Sequence, residues 1–163
     1  GFTNVQDHDE TIIRNWNALV QPDDVVYILG DIMLNDNVKG VRNFNRLNGT
    51  KYIILGNHDT TARQNLYMSL ENVVEIQWAI MLNYKKYHFF MTHFPCMTGN
   101  LEKESLKQCT LNLFGHTHQT TNFHEDRPYM YHVGVDSHPE VLVDLDDIIE
   151  EMYAKVRECE QYL

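Results

Sequence analysis

The sequence predicts a layered α/β fold, and two observations carry that expectation. Apolar runs of strand length alternate with stretches of helical periodicity: Ile12 to Val20 repeats as a helix, Val25 to Leu29 reads as a strand, Asn37 to Leu47 as a helix, and Tyr52 to Leu55 as a strand. This strand–helix–strand order implies a parallel, right-handed unit. Four apolar runs, Val25 to Leu29, Tyr52 to Leu55, Tyr87 to Met91 and Leu111 to Phe114, also lead into side chains that can bind a metal. Those side chains are Asp31, Asn57, His93, and the pair His116 and His118. Open α/β sheets deliver their functional groups just beyond the carboxyl ends of strands.

Taken in order, Gly1 to Gln6 reads as a connecting loop. Asp7 with Glu10 makes a capping-box-like helix start, after which Ile12, Ile13, Trp16, Leu19 and Val20 should face the core. Pro22-Asp23-Asp24 turns the chain into the strand that ends at Asp31. The second helix, Asn37 to Leu47, should turn Val38, Val41, Phe44 and Leu47 inward and stop at Asn48-Gly49. The stretch that organises the rest is Lys51 to Asp59, KYIILGNHD. Here a strand ends at Gly56, which allows a sharp turn, and an amide, an imidazole and a carboxylate follow at once.

A short helix is expected over Ala62 to Leu70. Val73 to Leu82 and Tyr87 to Met91, separated by Asn83 to Lys86, read as a hairpin. Phe94-Pro95 breaks the strand directly after His93. Cys96 to Gln108 reads as a loop with a short helix, and Gln119 to Pro128 as a loop that could overhang the site. Tyr129 to Val133 and Glu140 to Val143 are expected as short strands joined by the turn Gly134 to Pro139. Asp144 and Asp147 open a last helix whose Ile148, Ile149, Met152, Val156 and Cys159 form one apolar stripe.

At 163 residues the chain is one domain's worth, with 43% hydrophobic and 22% charged residues. Its formal net charge of −10 disfavours duplex nucleic acid and anionic membranes, both of which want a basic face. A phosphate substrate stays open, because bound divalent metals reverse the local sign. Cys96, Cys109 and Cys159 are odd in number and lack CxxC spacing, which fits a reducing cytoplasm. No run is long and apolar enough to span a membrane.

Each candidate has a plainer reading beside it. Asp31 could cap a helix, although helical patterning resumes only near Asn37. His93 alone would more often be a packed core imidazole. His116 and His118, two apart at a strand end, should point the same way, which favours ligation. His88 reads as structural. His124, His132 and His138 are weaker candidates, and of these His138 could line the pocket. Arg63 and Lys86 could meet a phosphate but read more simply as surface charges. The aromatic residues fall mostly on strands and helix faces, with no stacking platform for nucleic acid.

Gly30-Asp31, GNHD at 56–59, the lone His93 and GHTH at 115–118, in that order, resemble the motifs of the calcineurin-like metallophosphoesterases. The resemblance runs from Asp7 to about Ile149, and the closing GVDSHPEVLVDLDDI is similar to the end of small bacterial and phage-type members. It implies two mixed β-sheets packed together and covered by helices. It also implies hydrolysis of a phosphomonoester or small phosphodiester by attack of a metal-bound hydroxide. Two divalent ions would be held, Asp31 bridging them, Asn57, His93 and His116 on one, and His118 on the other. His58 would protonate the leaving alkoxide, with Asp59 holding its ring. Imidazole, carboxylate and amide ligands suit manganese, iron, zinc or nickel alike.

The family opens with a strand ending in Asp-x-His, and no such motif precedes Asp31. His8 lies in Asp7-His8-Asp9-Glu10, a helix start. The expectation is therefore a single domain over residues 1–163 that begins after the first strand and holds its second metal weakly. The rival readings are a non-catalytic binding module on a degenerate fold and, within the enzymes, a nuclease. The sequence assigns no substrate-binding residue and no oligomeric state.

Overall fold

The computed structural model describes residues 5–33, 36–98, 105–138 and 142–160. Two sheets flanked by helices form a layered α/β sandwich. Helix α1 (Val5–Leu19) leads into strand β1 (Val25–Ile28), helix α2 (Asn37–Phe44), strand β2 (Thr50–Ile54), helix α3 (Thr61–Tyr67) and strand β3 (Val73–Gln77). Strands β4 (Ala79–Tyr84), β5 (Tyr87–Thr92), β6 (Thr110–Phe114) and β7 (Met130–His132) follow, and helix α4 (Leu145–Glu160) closes the described chain. The first sheet has the order β1-β2-β3, all parallel. The second, β4-β5-β6-β7, is mixed, because β4 runs antiparallel to β5 while β5, β6 and β7 are parallel.

Strand β2 shows why the layers form. Ile53 packs with Met33, Phe44, Leu55, Tyr67 and Leu70 under α2 and α3, whereas its neighbour Ile54 joins Phe89, Met91, Leu111 and Tyr131 of the second sheet. Successive side chains point to opposite faces, so a run buried on both sides must be apolar throughout. Lys51 is the exception at the start of the strand. It is fully buried, bonds the Gly49 carbonyl at 3.0 Å and lies over the Phe44 ring, and burial lowers its pKa.

Several expectations need correction. Helix α1 begins at Val5, so Asp7 sits in its first turn rather than at its cap, where the helix dipole still favours a carboxylate. Ile13, Trp16 and Val20 are buried, but Leu19 is exposed because it falls at the edge of the stripe they form. Val38, in the first turn of α2, is also exposed, while Phe44 is buried and Val41 and Leu47 pack beside it.

The run Val73 to Leu82 is not one strand. It breaks at Trp78, with β3 joining the first sheet and β4 the second. Tyr84 pairs with Tyr87, so the hairpin turns on Lys85 and Lys86 alone, both at positive φ as tight hairpins require. Of the strand expected over Glu140 to Val143, Leu142 and Val143 carry no ladder and the rest lies outside the described residues, as does part of the Cys96 to Gln108 segment. Among the described residues no helix is long and apolar enough to cross a membrane.

His132, at the end of β7, is buried, with its Nδ1 2.7 Å from Ser137 Oγ. Burial, followed by repulsion from His138, pushes its pKa down to about 4. The unfolded chain, with an ordinary imidazole near 6.5, therefore takes up a proton that the folded chain refuses. Stability should fall as pH drops through the window from about 6.5 to 4 and stay flat above it. Urea midpoints at pH 7 and pH 5 should differ, and His132→Gln should shrink that difference. An unchanged difference would show that the buried imidazole is not its source.

Candidate active site at the meeting of two sheet edges

The chain leaves β1, β2, β5 and β6 at one edge of the sandwich. His93 Nδ1 lies 2.7 Å from the Leu29 carbonyl and ties the two sheets together there, and beyond the second sheet's own strands Gly115 N–H donates to the His93 carbonyl at 3.0 Å. The approach is close enough to require glycine. A Cβ on Gly30 (φ +93°) would stand 2.6 Å from His93 Nδ1, and one on Gly56 would strike the Asp31 carboxylate. The glycines of both motifs are therefore steric requirements of the site.

Asp31 is held with φ at +55°, a conformation that non-glycine residues adopt mainly under constraint. Its N–H donates to Asp59 Oδ2 at 2.9 Å, and its own Oδ1 accepts from the His58 N–H at 2.9 Å. Its other oxygen, Oδ2, lies 3.3 Å from His93 Nε2, and Asn57 Oδ1 lies 2.9 Å from the same nitrogen. A carbonyl can only accept, so the bond to Leu29 places a hydrogen on Nδ1 and leaves Nε2 of the neutral ring as a lone pair. Three electron-rich atoms thus face one another. A proton on Nε2 or a metal ion relieves that arrangement, and fixing one imidazole nitrogen on a backbone carbonyl is how metal-binding histidines are usually oriented. Among the described residues no three His, Cys, Asp or Glu side chains are gathered closely enough to hold a metal by themselves. The amide of Asn57 is what makes the trio.

His116 lies beside it, its ring 5.0 Å from that of His93 and 4.6 Å from that of Phe94. Although the residue is exposed as a whole, desolvation lowers its pKa, and repulsion from His93 adds to this. His118 is 82% exposed, with Nδ1 2.8 Å from Asp136 Oδ2. As expected, β6 stops at Phe114, and His116 and His118 lie just beyond it, both at positive φ rather than in extended strand geometry. His58 presents an exposed ring with no side-chain hydrogen bond among the described residues, and its carbonyl accepts from Arg63 Nη1.

Asp59 requires a correction. It does not hold the His58 ring. The buried carboxylate accepts from the Asp31 and Gly56 N–H groups through Oδ2 and from the Tyr67 hydroxyl, 2.5 Å away, through Oδ1. With both oxygens committed, it locks the two strand-end turns that carry Asp31 and Asn57. Tyr67 and Asn112 were not foreseen as site residues. Tyr67 is fully buried in α3, and a buried tyrosine hydroxyl needs a partner, which is the only sequence signal it offers. Asn112, buried in β6, bonds Phe90, Thr92 and Cys96 on either side of His93 and so fixes the segment that carries it. His88 bonds Asn83 away from the cluster. His138 bonds the His132 carbonyl.

This architecture and its set of strand-end polar residues define a calcineurin-like phosphoesterase domain, and a model of that superfamily domain matches residues 7–154. The chain belongs to the calcineurin-like phosphoesterase superfamily. It is 31% identical over 134 residues to an uncharacterized protein of Methanocaldococcus jannaschii; the match covers 79% of the chain but only 62% of that relative's length. It is 26% identical to the gene 66 protein of Mycobacterium phage L5, with 90% of the chain and 81% of the relative covered. Among solved structures, a protein of unknown function from Aquifex aeolicus shares the fold with a TM-score of 0.66 at 21% identity, over 92% of this chain and 86% of that one.

Proposed function

We propose that the chain is a metal-dependent phosphoric ester hydrolase that acts on phosphomonoesters or small phosphodiesters. One observation carries the reading: the lone pair of His93 Nε2, fixed by the Leu29 carbonyl, faces the oxygens of Asn57 and Asp31. Imidazole, amide and carboxylate donors fit manganese, iron, zinc or nickel, and the superfamily generally uses divalent metals. Asp31, Asn57, His93 and His116 would hold one ion, and His118, steadied by Asp136, would serve a second. Such ions supply an activated water and neutralise charge on the phosphoryl oxygens.

The protein's own groups have distinct tasks. Asp59 and Tyr67 keep the strand-end turns in place. His58, exposed beside them, would give a proton to the departing alkoxide. Arg63 fixes the His58 carbonyl and so steadies the turn that presents that ring. The net charge of −10 supports a small substrate over duplex nucleic acid. No disulfide links the three cysteines, which suits a reducing, cytoplasmic setting.

The test is hydrolysis of 4-nitrophenyl phosphate and bis(4-nitrophenyl) phosphate by protein stripped with a chelator and then supplied with each metal in turn. The stripped protein should be inactive, and at least one ion should restore turnover of at least one ester. Inactivity with every metal, or turnover that survives stripping, would overturn the proposal.

A further inference from the structure

Of the described phenylalanine, tyrosine and tryptophan residues, only Trp78 and Phe94 are exposed, at 62% and 42%. Both stand at the edge where the candidate site lies. Phe94 follows His93 directly, and its ring meets those of His93 and His116 edge-on at centroid distances of 5.0 and 4.6 Å. Thr92 Oγ1 donates to the Phe94 carbonyl at 2.7 Å, so the backbone beneath the ring is fixed. Trp78 is the residue at which the chain crosses between the sheets. Gln77 before it accepts from the Leu55 N–H at the end of β2, and Ala79 after it pairs with Thr92. Trp78 therefore lies beside the segments that carry Gly56-Asn57 and His93-Phe94. Every other described ring of these types is at least partly buried, so this edge is where apolar aromatic surface is left facing water.

We propose that Phe94, with Trp78 on the neighbouring segment, is a specificity-determining wall that receives a flat aromatic group on the organic side of the substrate ester. The inference rests on the phosphoester reading above and narrows it. A phosphoryl group placed at Asp31, Asn57 and His93 puts its ester substituent at the margin of this cluster, and Phe94 forms part of that margin. Packing against His93 and His116 fixes the Phe94 ring, while its 42% exposure leaves surface for an incoming ring to cover. Offset or edge-to-face aromatic contacts of this kind correspond to about 3–10-fold in affinity. A wall built from such contacts selects for flat ring systems over alkyl chains without reading any particular hydrogen-bond pattern.

The probes are phenylphosphonate and methylphosphonate, which cannot be hydrolysed, titrated calorimetrically into the protein at one fixed Mn²⁺ concentration. Phenylphosphonate should bind about 3–10-fold more tightly. The preference should vanish in Phe94→Ala and persist in Phe94→Tyr, with methylphosphonate affinity the same in all three proteins. A nitroaryl phosphonate should also quench the emission of Trp78 while leaving that of Trp16, which is buried and bonded to the Asn48 carbonyl, unchanged. Equal affinities for the two phosphonates in the native protein, or equal weakening of both in Phe94→Ala, would overturn the wall and leave the phosphoesterase reading standing. If neither phosphonate bound, both the wall and the phosphoesterase reading would be overturned.

Discussion

Replacing His58 with alanine is expected to slow hydrolysis of an alkyl phosphoester by about 10²–10⁴-fold, the usual worth of a positioned general acid. Metal content should hardly change, because the atoms proposed to face the metal belong to Asp31, Asn57 and His93, and the His58 residue is exposed and bonds none of them among the described residues. The backbone N–H that His58 lends to Asp31 Oδ1 also survives the substitution. An alkoxide needs a proton as it departs and a nitrophenolate does not, so the loss should be much smaller on a nitrophenyl ester. Equal losses on the two esters would remove the general-acid role. Loss of metal along with rate would show that the substitution had disturbed the turn.

The second large effect should follow from Asp59→Ala and should fall on stability. Asp59 is 3% exposed and accepts three hydrogen bonds, two of them from backbone N–H groups that no strand partner satisfies. Each buried donor left unpaired costs about 1–3 kcal/mol, so a total of about 3–5 kcal/mol is expected. For a chain of this size that lowers the melting temperature by about 6–20 °C. Asp31 loses the bond that holds it at positive φ, so divalent-metal affinity should fall with it. Tyr67→Phe removes one of the three bonds and should cost about 1–2 kcal/mol while leaving metal affinity close to normal. A melting curve for Asp59→Ala that overlays the native one would contradict the locking role.

The parts of this architecture that a one-dimensional pattern can encode were legible. Strand ends bearing Asp31, Asn57, His93 and His116 stand out because apolar runs stop there, and the glycines of the two motifs sit where the backbone must pass closely. What was not legible depends on partners distant in the chain. Val73 to Leu82 looks like one strand because each half is apolar enough for a sheet, and only the pairing of Ala79 with Thr92 moves the second half to the other layer. Asp59 sits next to His58, so adjacency suggested that it serves that ring. Its carboxylate instead turns inward to N–H groups 28 and 3 residues away. The backbone at His116 and His118 is left-handed at both residues, which strand alternation does not describe. Leu19 and Val38 follow helical spacing but fall at the margins of their stripes, where coverage depends on what packs alongside.

Whether Asp31, Asn57 and His93 meet on a metal ion is tested most directly by titrating a divalent ion into chelator-stripped protein and into Asp31→Ala, Asn57→Ala and His93→Ala. The native protein should take up the ion with a measurable affinity, and each substitution should weaken it by about 10-fold or more, while His88→Ala, which alters an exposed histidine whose ring bonds Asn83, should change nothing. Uptake that is indifferent to all three substitutions, or a native protein that takes up no ion, would contradict the assignment.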